Sequence, residues 1–308
     1  MIKYTIKRLL QLIPTLFALT FIIFFMVRLI PGDPVEIMLG TSVDRSHIEV
    51  ERERLGLNDP LPEQYVNFVV DALHGDLGTS IVSGKDVGAE IKKRFVPTFM
   101  LALGGTLVAA VIGVIFGIIA ATHHNKFLDN FIMVISLTSV STPSFFLALI
   151  LMLIFTVWLG WFPSVWMGTF SWKSMVLPIM TLGTQAVGFM TRTTRSAMLD
   201  VINQDYIRTS KSRGIPNKIV VYSHALKNAL IPIITAIGLR FGGLLAGATL
   251  VETVFSIPGI GRYLVDGVGN RDYPVIQGTV LVLAVTFVVV NTAVDLIYAF
   301  VDPRIKYD

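Results

Sequence analysis

The segment Gly78 to Asp86 reads GTSIVSGKD, the nearest this chain comes to a phosphate-binding loop. Such a loop needs four residues between its glycines and a Ser or Thr after the lysine to ligate magnesium. Here five residues separate Gly78 from Gly84, and Asp86 stands in the magnesium position. Nucleotide hydrolysis is not expected of this chain. A helical zinc site would need histidines one turn apart, as in His-Glu-x-x-His. His123 and His124 are adjacent. On a helix they would point about 100° apart, which suits a polar turn better than a ligand pair. The chain has no cysteine, so it has no disulfide framework and no thiolate metal or redox site. It contains no G-x-S-x-G elbow, and no Ser/His pair can be assembled from its apolar stretches. No catalytic residue and no metal ligand is assigned.

The elements that would have to position any site are mostly apolar. The chain has 308 residues, 53% hydrophobic and 15% charged, with a mean hydropathy of +0.70. The apolar residues come in long blocks, which places the chain in the membrane class. A membrane span needs about 20 such residues. Six are read, at roughly 9–30, 98–121, 130–158, 175–191, 229–251 and 275–299. The fourth is the weakest, because Pro178, Gln185 and two glycines interrupt it. Backbone polar groups in lipid must be satisfied internally, so all six are expected to be helices and the fold class all-α. The N-terminal run is too long for a signal peptide, and no small-residue cleavage pattern precedes Pro31-Gly32-Asp33-Pro34. It is expected to remain as the first span.

Charge assigns the sides. The net charge of +4 is not spread as a nucleic-acid surface would be; the basic excess flanks the spans. The tail before the first span is basic and is placed in the cytoplasm. The segment 31–97 holds twelve acidic and seven basic residues and is placed outside. The turn around His123, His124 and Lys126 returns inside. The loop 159–174 lies outside, with Trp161, Trp166 and Trp172 as interfacial anchors. The segment 192–228 carries seven Lys/Arg against two Asp and is inside. The loop 252–274 is outside and the tail 300–308 inside, so both termini are cytoplasmic. The chain divides into a tail and first span (1–30), an outer layer (31–97), a five-helix core (98–299) and the tail.

The outer layer has structure of its own. Ser46 to Leu55 is helix-compatible, Asn58-Asp59-Pro60 signals a turn, and Pro62 to His74 has helical apolar spacing through Tyr65, Phe68, Val69 and Ala72. It reads either as a solvated linker or as a docking surface. Four charges sit in or beside the spans, namely Arg28, Arg240, Glu252 and Asp295. Charges at membrane depth are costly and often functional. Snorkelling or a structural ion pair suffices for Arg28 and Asp295. Arg240 lies deeper, and either packs or lines a water-filled path. Gly242, Gly243, Ala246, Gly247 and Ala248 follow it and let another helix approach closely. Between the fourth and fifth spans, Asp205 to Arg213 can form a helix that Gly214 ends in a left-handed turn. Ile215-Pro216-Asn217 redirects the chain, with Asn217 as N-cap. A second helix then runs through Val220, Val221 and Leu226 into the fifth span. A segment of this kind is either an interfacial helix or a lever driven by a soluble partner.

DYIRTSKSRG and HALKNALIP in that segment resemble the ATPase-docking loop of the integral-membrane permease subunits of ATP-binding-cassette importers. Arg208-Thr209-Ser210 stand where the general family has Glu-Ala-Ala, a departure that resembles the peptide/nickel branch. YTIKRLLQLIPTL, LIPGDP, HGDLGTS, VETVFSIPGIGRYLVDGVGNRDYPVIQG and VDLIYAFVDPRIKY extend the resemblance, in order, over nearly the whole chain. It is nearest to the first permease of dipeptide, oligopeptide or glutathione importers, with nickel importers close behind. The resemblance implies a type I importer permease fold in the bacterial cytoplasmic membrane. It implies a second homologous permease, two cytoplasmic ATPase subunits and an extracytoplasmic substrate-binding protein that delivers over 31–97 and 252–274. ATP and magnesium would be bound by the ATPases, so this chain needs no cofactor and catalyses no bond change. Arg208, Thr209, Lys211, Gly214, Ile215, Asn217 and His224 would couple to the ATPases. Arg240, Thr249 and Glu252 would line the path. On resemblance the cargo is a di- or oligopeptide first, glutathione second and a nickel or metal chelate third. The competing class is an ion-coupled carrier, which needs a relay of intramembrane carboxylates or histidines; few candidates exist here.

Overall fold

A computed structural model describes residues 2–29, 35–36, 45–54, 56–168 and 170–301. Pro31-Gly32-Asp33-Pro34 and the tail 302–308 lie outside the described residues. Helix α1 (Ile2–Arg28) is followed by α2 (Arg45–Arg54) and α3 (Leu61–His74). Next come α4 (Val87–Thr122), α5 (Phe127–Ser141), α6 (Ser144–Trp158) and α7 (Trp172–Ile202). The short α8 (Asp205–Ser212) precedes α9 (Asn217–Gly247). Helices α10 (Thr249–Val254), α11 (Ile260–Gly269) and α12 (Tyr273–Val301) complete the described order.

Five of these helices, α1, α4, α7, α9 and α12, are long and apolar enough to cross a membrane. The third expected span, 130–158, is not one straight helix. Helices α5 and α6 form a pair bent by 101° at Thr142-Pro143. Pro143 lacks an N–H and disfavours helical geometry at the residue before it, so the ladder breaks there. The break frees the Thr142 carbonyl, and Gln185 Nε2 of α7 donates to it at 2.6 Å. Gln185, which interrupts the fourth apolar run, thus closes a gap in the third.

The fourth span, the weakest by hydropathy, becomes the 31-residue α7 and is the most enclosed of the five, with 61% of its most apolar window buried against 17% for α1. Hydropathy measures fitness for lipid, and α7 faces mainly protein. Thr181, Thr191 and Thr194 are fully buried along it, and Pro178 is carried within the helix. Helices α4, α5, α6 and α9 pack around it. Close approach is enforced by small residues: a Cβ at Gly113 would meet Met190, and one at Gly117 would overlap Thr194. The expected second span begins earlier than 98, since α4 already starts at Val87. Its 36 residues extend about 54 Å, well beyond a hydrocarbon core of about 30 Å.

The ends of these helices alternate. One end of the bundle carries α2, α3, the loop 159–168 and the α10–α11 segment, and is called the capped end here. The opposite end carries the turn 123–126, α8, and an ion pair between Arg8 of α1 and Asp295 of α12 at 2.9 Å. There Asp129, fully buried, accepts both Arg195 Nε at 2.6 Å and Nη2 at 2.7 Å, and the Asn125 N–H at 2.9 Å. His124 stands beside this pair, 3.0 Å from Arg195 Nη2.

Replacing Gln185 by Leu removes the only side-chain donor recorded on the Thr142 carbonyl among the described residues. The expected loss is about 1–3 kcal/mol, seen as a lower thermal midpoint of the detergent-purified protein. Gln185→Glu, which cannot donate when ionised, should lose as much; an unchanged midpoint for both variants would refute the assignment.

Candidate functional site

The segment between α7 and α9 is built as a rigid bracket. Gly214 has φ +72, a conformation in which a Cβ is strained. Its N–H bonds the Lys211 carbonyl at 3.0 Å, and the Ile215 N–H bonds the Ser210 carbonyl at 3.4 Å. Those two bonds close α8 in a Schellman turn. The chain then turns at Pro216, which is the N-cap residue; Asn217 is the first helical residue rather than the cap expected from sequence. The Pro216 carbonyl accepts from Ile219 and Val220 N–H at 2.9 and 3.1 Å. A π-helical turn, Val220–Ala225, joins this start to the rest of α9. Ile207 of α8 is fully buried and shares a core with Val220, Val221 and Ala225. Tyr206 Oη accepts from Asn228 Nδ2 at 2.9 Å. The bracket is thus anchored from within.

Its outward face is polar. Arg208, Thr209, Lys211, Gly214 and Asn217 are exposed, while Ile215 and His224 are half-buried. Arg208 and Asp205 approach only to 3.8 Å, and both are largely solvated. All seven belong to the segment at the end of the bundle opposite the cap.

The three path candidates are not alike. Arg240 is half-buried on α9, with its guanidinium carbon 5.7 Å from the Phe189 ring centroid of α7. Its Nε is buried without a hydrogen-bond partner. Thr249 is half-buried at the start of α10, where its side chain lies close against Gly261. Glu252 is fully buried, so it offers no surface to a passing solute in this conformation. Its Oε1 accepts the Thr98 hydroxyl at 2.6 Å and its Oε2 the Arg262 N–H at 2.9 Å. Thr98 Oγ1 in turn accepts the Ile260 N–H at 2.9 Å. A Cβ at Gly259 would overlap the carboxylate, so only glycine lets the turn pass so close.

A second buried carboxylate completes the cap. Asp272 Oδ2 accepts the Ser80 hydroxyl at 2.5 Å, its Oδ1 accepts the Ile81 N–H at 3.2 Å, and the side chain also caps α12 through the Val275 N–H at 3.4 Å. Asp86, the residue that spoils the phosphate-loop match, caps α4 by accepting the Ala89 N–H at 2.6 Å. The layer is docked on α1 by aromatic contacts of Tyr65 and Phe68 with Phe24.

Comparison with known proteins places this architecture. Residues 113–307 match the family described as binding-protein-dependent transport system inner membrane component, and residues 1–102 match its N-terminal component. The chain belongs to that family. It is an ATP-binding-cassette importer permease subunit of the bacterial inner membrane, crossing several times, and is not itself catalytic. The glutathione transport system permease protein GsiC of Pectobacterium atrosepticum is 45% identical over 307 residues, and its counterpart in Escherichia coli K12 is 43% identical, each with 100% of both chains covered. An inward-facing structure of the MetNI methionine transporter shares the fold, with a TM-score of 0.58 at 21% identity over 69% of this chain and 96% of that one. An amino acid transporter structure solved with histidines gives a TM-score of 0.51 at 14% identity, over 68% of this chain and 94% of that one.

Sequence reasoning missed the permease's cap residues Thr98, Ser80 and Asp272. Only Asp272 left a local signal, an acid just before an apolar helix; Thr98 and Ser80 are ordinary until their distant partners are placed. Burial pushes the Glu252 carboxyl above its ordinary range, opposed by the hydrogen bonds from Thr98, Arg262 and Gly261. A raised folded value means that its stabilisation is full below the unfolded value of about 4.3 and is lost as pH rises through the folded one. The thermal midpoint of the wild type relative to Glu252→Gln should therefore fall as pH rises through that window. Glu252→Ala strands the Arg262 N–H, removes the acceptor of the Thr98 hydroxyl's short bond and should cost roughly 2–3 kcal/mol; a midpoint equal to wild type at every pH would refute this role of Glu252.

Proposed function

We propose that this permease forms half of the translocation path of a binding-protein-dependent importer for small peptides, with glutathione as the leading cargo. Sequence reasoning ranked ordinary di- and oligopeptides first; full-length similarity to glutathione permeases moves glutathione ahead. The observation that carries the mechanical part is the bracket around Gly214. It is exposed, closed by its own hydrogen bonds and continuous with a spanning helix. A surface of that kind passes force without bending.

In this reading the Gly214 end, with both termini, faces the cytoplasm and the capped end faces outward. Two ATPase subunits dock on Arg208, Thr209, Lys211, Gly214, Ile215, Asn217 and His224. The binding protein docks on the cap. A second permease covers the open side of α9, where Gly243 and Gly247 meet no neighbouring atom and Ala246 is exposed. ATP binding favours one arrangement of the helices and release favours the other, so transport is a shift between two states driven by differential binding. Arg240 and Thr249 remain the path residues; Glu252 holds the cap that bounds it.

Gly214→Pro tests the bracket. Proline fixes φ near −65° and removes an N–H, both incompatible with the observed turn. The variant should insert in the membrane yet retain at most about a tenth of the ATPase co-purified by wild type, a loss of roughly 1.4 kcal/mol of docking. Undiminished capture of the ATPase, measured beside equal permease yield, would refute docking at this loop.

A further inference from the structure

The carboxylates and guanidiniums of the spanning helices do not balance. Glu90 on α4 is held by Lys93 and Arg94. Asp129 on α5 is held by Arg195, and Asp295 on α12 by Arg8. Asp200, the one acid of α7, is exposed near its end, roughly 12 Å along the helix from Arg192. Helix α9 contains no acid at all. Beyond the spans, Glu252 and Asp272 are committed to the cap. Three arginines of these helices are left without an acid among the described residues, of which Arg28 is bonded to the Phe24 carbonyl and Gln64; two remain. Arg192 of α7 and Arg240 of α9 have no acidic partner among the described residues, and the Nε of each is buried with nothing to bond.

These two are neighbours in the fold. Arg240 lies over Phe189, and Arg192 follows Phe189 by three residues, on the same face of α7. Arg240 is well inside its span, and Arg192 stands just past the apolar run 175–191, one turn before the Arg195 that holds Asp129. Arg192 is roughly 15 Å before the Ile202 end of α7, and Arg240 roughly 10 Å before the Gly247 end of α9. Arg240, Gly243 and Gly247 share one face of α9 by their spacing, and the two glycines are open. Arg240 therefore borders the side of the chain that no helix of its own covers, with Arg192 one turn along α7 from the ring it lies over. An arginine at membrane depth without a counter-ion faces a water-filled cavity or a charge supplied from elsewhere.

We propose that Arg192 and Arg240 form an anion-selective step of the path, which takes the carboxylates of the solute as it crosses. This rests on the importer reading and narrows its cargo. A path that offers guanidiniums with no free carboxylate favours solutes bearing at least one carboxylate group and disfavours cations, a nickel ion or a positively charged chelate among them. Glutathione carries two carboxylates against one ammonium group and fits. The guanidinium fork binds a carboxylate through paired charge-assisted hydrogen bonds, and the Phe189 ring beside Arg240 offers an apolar surface to the rest of the solute.

The absence of native cysteine makes the test direct. Arg192→Cys and Arg240→Cys each place one thiol in this chain, and the intact importer is reconstituted with its ATPases, sister permease and binding protein in liposomes. Each variant should take up glutathione about tenfold more slowly than wild type, the size of one charge-assisted hydrogen bond. A water-soluble methanethiosulfonate that attaches an ammonium group should label the thiol, read as a mass shift of this chain, and restore uptake several-fold. The sulfonate-bearing analogue should label without restoring it. Arg240→Lys, which keeps the charge if a Cys variant fails to assemble, should exceed Arg240→Gln. Thiols that neither reagent reaches with or without ATP, equal rescue by both reagents, labelling without rescue by the cation, or Lys no better than Gln would each overturn the proposal. Stimulation of the wild-type ATPase by the loaded binding protein, and wild-type glutathione uptake, are scored separately and report on the importer and cargo readings.

Discussion

In hydrocarbon, every backbone polar group must find its partner within the protein, and this constraint organises the permease. The bond from Gln185 Nε2 to the Thr142 carbonyl shows it at the smallest scale. A 101° bend between α5 and α6 leaves an orphan carbonyl, and a helix otherwise devoted to packing supplies the donor. The same demand is met at two of the buried threonines. Thr106 and Thr181 bond the carbonyl one turn back on their own helices, so they add polarity to the interior without opening the ladder. It also explains why Asp129 can sit fully buried. A bidentate guanidinium and a backbone N–H saturate it, whereas a carboxylate missing one of these would carry a desolvation cost of several kcal/mol.

Two carboxylates do comparable work at the capped end, where they connect segments far apart in sequence. Glu252 ties α4 to the turn before α11 through Thr98 and the Ile260 and Arg262 amides. Asp272 ties the 80–82 turn to the start of α12. The 57–86 layer is therefore part of the permease body, held by polar bonds below and by aromatic contacts of α3 on α1. A binding protein resting on such a surface would push on α4 and α12 directly.

Much of this was legible in sequence, for stated reasons. The apolar blocks that became α1, α4, α9 and α12 face lipid on one side, so hydropathy found them. The left-handed turn at Gly214 was legible because a glycine after a helix-compatible run has few other uses. Three features were not. The break at Pro143 was read through, because the flanking residues are as apolar as those of an intact span. Helix α7 was undervalued, because a helix surrounded by protein can carry Thr, Gln and Pro at no cost that a lipid scale recognises. Asn217 was taken for a cap, although the backbone reaches helical geometry one residue earlier than its side chain could serve. Glu252 looked like a path residue because an acid beside a span is exceptional; only the three-dimensional position of Thr98 and Gly259 reveals that it is consumed in packing.

Helix α9 joins these parts into one device. It begins at the Pro216 turn, carries the π-helical turn at Val220–Ala225, passes Arg240 and ends where α10 delivers Glu252 to the cap. An α-helix resists compression along its axis, so a displacement imposed on the Gly214 bracket would be carried into α9. The π turn relaxes the i→i−4 ladder near the start of α9, as Pro232 does further along by removing an N–H, and π turns recur at functional positions in helices. This turn lies next to the bracket and beside buried Ile207, so a rotation there would re-aim the remainder of the helix relative to the bracket. Arg240 stands about 35 Å from the Asn217 start, at 1.5 Å per residue, where a small angular change at the pivot becomes a displacement of several ångströms. Arg240, a charge without an ionic partner among the described residues, thus stands where a motion imposed at the far end would be amplified within the span.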